Sequence, residues 1–226
     1  MIWIFGDSFS APFDNFEIGI WGKEYIKWKG YVPKTFGDNL ADELNTEVRN
    51  LALGGSDNDT IFELIIKNAP QFKKDDIVIV GWSSVVRFRL VNDIDRFVFI
   101  LPNVNNSKLI RDVSEMTMNE IMVNRSNSLY FEEFKIRFDF LNWLLKDITF
   151  IQWTPWGANF PNRKYDIKFA KENKPNVKLE TNGVINDTHY SELGHIELSD
   201  EFMELINDKN LRLKNNSILP HVKTLI

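Results

Sequence analysis

Four short strand-like runs, three of them largely apolar and each closed by small or polar residues, set the pattern of the chain. Ile2-Trp3-Ile4-Phe5 stops at Gly6-Asp7-Ser8. The stretch Glu47–Ala52 stops at Gly54-Gly55-Ser56, Asp76–Val80 at Gly81-Trp82-Ser83, and Ile148–Trp153 at Thr154-Pro155-Trp156-Gly157. Ile2–Phe5 and Ile77–Val80 are apolar on both alternating sets of positions and predict strands buried on both faces of a parallel sheet, and Glu47–Ala52 and Ile148–Trp153 read as two further short strands. Between them the period changes. Phe36, Leu40 and Leu44 share one face of a helix that Pro33 is expected to open. Ile61, Leu64, Ile65 and Ala69 do the same in a second helix, with Asp57 or Asn58 as its cap. Residues 119–146 predict a mostly helical stretch, and a last helix is expected from Ser191 to Ile206. Residues 12–32 carry aromatics without a clean period and read as a long loop. Residues 83–118 have no legible pattern beyond an exposed turn at Asn103–Ser107. Residues 158–183 read as an irregular excursion, and the polar tail after Asn207 as loosely packed.

Strands alternating with helices predict an α/β domain with a mainly parallel sheet. The length of 226 residues and the absence of repeats or a low-complexity linker predict one domain spanning 1–226. In such sheets ligands bind beyond the carboxyl ends of the strands. All four strand-closing segments belong to that one edge, where small and polar residues thus cluster.

Composition narrows the partners. The net charge is −5 with no basic run, which argues against nucleic acid. The chain has no cysteine, so disulfides, thiolate metal sites and cysteine nucleophiles are excluded. No segment reaches the roughly 18–20 apolar residues of a bilayer span, and the first apolar run lacks the basic flank and length of a signal peptide. No membrane partner and a cytoplasmic location are therefore expected. Abundant Asn and Lys fit an AT-rich genome, viral or bacterial.

Two segments carry candidate chemistry. Gly6-Asp7-Ser8 holds a serine at the rim of the sheet, where an ordinary strand-to-loop turn would also use these residue types. Near the other end, Asn186-Asp187-Thr188-His189 precedes the last helix. A serine hydroxyl attacks only when a base takes its proton, and histidine is the usual base, oriented by a carboxylate. Of the three histidines, His195 is expected within a helix and His221 in the tail, as solvated or capping residues, which leaves His189. Asp57-Asn58-Asp59 is better explained by a helix cap than by a metal, and no phosphate-cradling glycine loop is present.

Gly6-Asp7-Ser8, Asn50-Leu51-Ala52-Leu53-Gly54-Gly55, Gly81 after the third strand and the Asp187/His189 pair, in this order, resemble the SGNH hydrolase superfamily, the GDSL-type esterases and lipases. The resemblance spans Gly6 to His195. It implies a three-layer α/β/α sandwich with a flavodoxin-like sheet. It also implies Ser8 as nucleophile, His189 as general base and Asp187 as its orienting carboxylate. The backbone N–H groups of Ser8 and Gly55 would be oxyanion donors, with Gly54 the neighbouring alternative. Ser-x-x-Gly-His, here Ser191 to His195, is familiar from the same family.

Two departures stand out. The third block normally reads Gly-x-Asn-Asp; here Ser83 holds the Asn position, a donor of shorter reach. The family's acid usually stands three residues before the histidine, where this chain has Asn186, with Asp187 two before. Trp82, Trp153 and Trp156 are candidates to line a cleft or fill the core, and Arg87 to bind an anionic substrate group or form an ion pair. By family analogy, the expected activity is hydrolysis of an acyl ester, such as acetate on a carbohydrate, with no cofactor or metal. A glycan- or partner-binding protein without catalysis, favoured by the Ser83 replacement, and an acyltransferase are the alternatives.

Overall fold

The structure, a computed structural model, describes residues 1–15, 20–83, 88–91, 97–100, 127–155 and 189–217, with the backbone alone described at 20, 21, 24, 28, 88–91, 97–100 and 127–131. The four runs form one all-parallel sheet from β1 (Ile2–Gly6), β2 (Val48–Asn50), β3 (Ile77–Gly81) and β6 (Thr149–Trp153), in the order β2-β1-β3-β6. Two further strands, β4 (Phe88–Val91) and β5 (Phe97–Ile100), pair antiparallel with each other in the stretch that had no legible pattern.

Alternation along the strands sorts the core into two faces. Ile2 and Ile4 of β1 join Ile79 and Ile151 on one side. That side is covered by α2 (Phe36–Glu43), through Phe36 and Leu40, and by α5 (Glu192–Asn207), through Leu198 and Phe202. Trp3 and Phe5 join Val78, Val80 and Phe150 on the other. There α3 (Asn58–Asn68) contributes Ile61 and Ile65, and α4 (Asn127–Leu144) contributes Phe134, Phe138 and Leu141. The fold is a mixed α/β architecture with helices on both faces, as the strand pattern predicts. Each fully buried Ile or Phe contributes roughly 1.5–3 kcal/mol of burial energy, so the two faces hold the sheet rigid beneath its carboxyl edge.

Local chemistry moves several boundaries. The second helix starts at Phe36, not Pro33, because Thr35 caps it: the Thr35 hydroxyl accepts from Asp38 N, and the Asp38 carboxylate accepts from Thr35 N at 2.8 Å. It ends before Leu44, because Asn45 takes a left-handed φ of 47° while Thr46 N donates to Ala41 O and Asn45 N to Asp42 O. That double closure turns the chain into β2. Residues 12–32 are not all loop: Ile20–Lys29 form α1. Asp57 caps α3, its carboxylate accepting from Thr60 N at 2.7 Å.

The tail beyond Asn207, expected to pack loosely, instead forms α6 (Lys209–Ser217). The Asn216 side chain behaves as a neighbouring strand would toward the edge strand β6. It accepts from Gln152 N at 3.1 Å and donates to Phe150 O at 2.7 Å, while Asn215 donates to Gln152 O at 2.8 Å. An otherwise open sheet edge is thereby satisfied. Among the described residues no helix is long and apolar enough to cross a membrane.

Candidate active site

The sheet register determines which residues meet at the carboxyl edge. Gly6 pairs with Gly81, and Gly81 with Trp153. Leu53 N donates to Gly6 O at 3.0 Å, extending the β1–β2 pairing beyond the strand proper. Ser8 and Ser83 therefore each lie two residues beyond a directly paired position, and Gly55 leaves the sheet two residues after Leu53. Glycine is required at 6 and 81 by close approach. A Cβ on Gly6 would stand 2.5 Å from Ser10 Oγ and 2.9 Å from Gly81 O; one on Gly81 would stand 2.3 Å from Ser10 Oγ. Gly55 has φ 81°, which an L side chain rarely adopts, in a turn closed by Ser56 N donating to Leu53 O.

Asp7 shapes the turn that carries Ser8. Its buried carboxylate accepts from Phe9 N at 3.1 Å, and its carbonyl accepts from Ser10 N and Ala11 N. The chain wraps around position 8 and leaves the Ser8 side chain half-buried between two fully buried neighbours. The aspartate of Gly-Asp-Ser thus has a structural task of its own.

His189 arrives from the other end of the chain. Its Nε2 lies 2.7 Å from Ser8 Oγ, a hydrogen bond across 181 residues of sequence. The imidazole stacks on Phe9, with ring centroids 4.7 Å apart and planes at 29°. Next to it Tyr190 is buried edge-on against Phe9. Ser191 then caps α5, its hydroxyl accepting from Gly194 N at 3.2 Å. The start of that helix is pinned from α1: Tyr25 OH accepts from Glu192 N at 2.9 Å, and the Glu192 carboxylate takes Lys29 Nζ at 2.6 Å and Tyr31 OH at 2.7 Å. Burial tends to raise the Glu192 carboxyl, but the Lys29 and Tyr31 hydrogen bonds outweigh it and hold it below the usual range. Burial raises the Tyr25 phenol against the opposing bond from Glu192 N.

A serine hydroxyl within 2.7 Å of an imidazole nitrogen has a base positioned to take its proton. Both partners are among the residues the sequence singles out. Phe9 is not, since its only signal there is an aromatic side chain directly after the candidate nucleophile.

Ser83 is 2% exposed, with its backbone held by Asn58. Trp82 is a core residue and not a cleft wall: it is fully buried, its ring lies edge-on to Phe134 at 5.1 Å, and its indole N–H donates to Gln152 Oε1 at 2.8 Å. Trp153 is core as well, packed edge-on against Phe36 and Phe202. His195 lies in α5, 3% exposed, where Nδ1 accepts from Phe36 N at 3.3 Å. It caps α2 from across the core, one of the roles expected for it. Asp187, its alternative Asn186, Arg87, Trp156 and His221 lie outside the described residues. Among the described residues no group of three or more His, Cys, Asp or Glu side chains is placed to hold a metal ion.

No known family model matches the chain, and no curated protein matches its sequence significantly.

Proposed function

We propose that the protein is a serine esterase of the SGNH type. The observation that carries this reading is the 2.7 Å contact between Ser8 Oγ and His189 Nε2 at the carboxyl edge of the parallel sheet. His189 takes the Ser8 proton as Oγ bonds to the ester carbonyl carbon. The carbonyl oxygen becomes an oxyanion, held by the backbone N–H groups of Ser8 and Gly55 with the Ser83 hydroxyl. His189 then protonates the leaving alcohol as the C–O bond breaks, which leaves an acyl group on Ser8. Water, deprotonated by His189, releases the acid and restores the serine. Asp187 is assigned to orient the imidazole by its resemblance to the family. The proposed substrate is a small acyl ester, such as acetate on a carbohydrate.

The rival reading, a binding protein that keeps the fold without catalysis, draws on an aromatic cleft. Trp82 and Trp153, two of the aromatics that cleft would use, are buried in the core. The test is labelling by a serine-reactive fluorophosphonate together with hydrolysis of p-nitrophenyl acetate. Wild type is expected to label and to hydrolyse, and Ser8→Ala to do neither. Equal background signals from both proteins would overturn the esterase reading. Transfer of the acyl group to an added acceptor sugar in preference to water would reassign the protein as an acyltransferase.

A further inference from the structure

Asn58 lies at the first turn of α3, 7% exposed, three residues after Gly55. Its side-chain amide grips one residue of another loop at two points. Oδ1 accepts from Ser83 N at 2.8 Å, and Nδ2 donates to Ser83 O at 3.1 Å. A short amide carries its donor and its acceptor on two separate atoms, so it can meet a backbone N–H and C=O side by side; a hydroxyl has a single oxygen for both, a carboxylate only accepts, and a glutamine amide sits one carbon further out. The pairing reproduces a rung of a β-ladder where the sheet has already ended, since β3 stops at Gly81.

This clamp has two effects at the carboxyl edge. It ties the loop of Gly55 to the loop of Ser83, and these residues are two of the three proposed donors, each following a different strand. It also satisfies both backbone polar groups of Ser83. Ser83 Oγ is buried and has no hydrogen-bond partner among the described residues. A buried hydroxyl left in that state is costly, and its persistence calls for a reason. An oxyanion at the edge, two residues beyond paired strand ends on both the Ser8 and the Ser83 side, would supply the partner.

We infer that Asn58 is a positioning residue for the oxyanion hole, holding the Ser83 hydroxyl in register with the Gly55 turn; this rests on the esterase reading. Asn58 does not touch the substrate; it acts through Ser83. The shortened donor at position 83 then works because its backbone is fixed by a second side chain.

A double-mutant cycle tests this, with kcat and KM for p-nitrophenyl acetate, fluorophosphonate labelling rates and melting temperature measured on wild type, Ser83→Ala, Asn58→Ala and the double variant. Loss of an oxyanion donor predicts a fall of about 10²-fold in kcat for Ser83→Ala and of about tenfold or more for Asn58→Ala, with KM within about threefold. In the Ser83→Ala background, Asn58→Ala is expected to cost less than about threefold further, because its effect runs through the missing hydroxyl. Asn58→Asp, which keeps the bond from Ser83 N and loses the one to Ser83 O, provides a second cycle if the alanine variant folds poorly.

If wild type labels at Ser8 but the Asn58 variants retain kcat within about threefold, or lose melting temperature alone, the role of Asn58 is overturned and the esterase reading stands. Fully additive losses in the cycle overturn it equally. Absence of labelling and hydrolysis in wild type overturns the esterase reading and this inference with it.

Discussion

His189 and His195 stand six residues apart and do opposite things. His189 precedes the cap of α5, half-buried, with Nε2 on Ser8 Oγ. His195 sits one turn into the helix, 3% exposed, between Phe13, Phe36 and Tyr190, with Nδ1 accepting from a backbone amide. The first imidazole faces a side chain with a transferable proton. The second completes a helix start and has a fixed tautomer, because an acceptor nitrogen carries no hydrogen. The residue type therefore says little; the group opposite each nitrogen sets the role.

The comparison breaks most sharply if His189 is replaced. His189→Ala is expected to lower kcat for ester hydrolysis by at least about 10³-fold while leaving the folded state intact; steady-state kinetics beside a thermal melt check both. Retained turnover would move the base elsewhere.

Gly6→Ala acts on the partner of His189. Its Cβ would meet Ser10 Oγ at 2.5 Å and the Gly81 carbonyl at 2.9 Å. A destabilisation of about 1–3 kcal/mol is expected, with loss of fluorophosphonate labelling as the Ser8 turn shifts. Denaturant unfolding and labelling rates measure the two parts separately.

His195→Leu should show the reverse of His189→Ala. Leaving Phe36 N without its acceptor is expected to cost about 1–3 kcal/mol in urea unfolding, with kcat per folded molecule close to wild type. A large drop in kcat with unchanged stability would place His195 in the chemistry.

The smallest effect concerns the brace behind His189. The Glu192 carboxyl is held below its ordinary value of 4.5, so its pairing stabilises the fold above that pH and is lost as the pH falls through the lower folded value. Lys29→Met should remove part of that acid-side loss, about 0.2–1 kcal/mol for a solvent-screened pair. Stability measured at pH 7 and pH 3 gives the difference directly.

Much of the fold was legible because strand burial writes itself locally. Ile77–Val80 and Ile2–Phe5 are apolar on both faces and followed by small residues, and each forms a central strand. The helix boundaries were less legible where two signals competed: Pro33 suggested a start that the Thr35–Asp38 pair overrode. Helix α6 was hidden because its polar sequence binds the sheet edge through Asn215 and Asn216 instead of an apolar stripe. Asp57 and Asn58 both read as the cap of α3; Asp57 holds that place, and the Asn58 amide turns to Ser83. Trp82 looked equally suited to cleft and core, since the residue after a strand-ending glycine points either way. The indole partner Gln152, 70 residues distant, settled it for the core.

By itself the sequence determined the α/β class, the four parallel strands and the small and polar residues that close each of them. Those are properties of neighbours along the chain, written in period and burial. The tertiary structure decided which of the legible residues meet. Ser8 and His189 come within 2.7 Å because strand order β2-β1-β3-β6 sets β1 inside the sheet and the docking of α5 on the face of Ile4 and Phe36 swings its capped end over the carboxyl edge. That distance is the sum of many packed contacts, and no local pattern carries it.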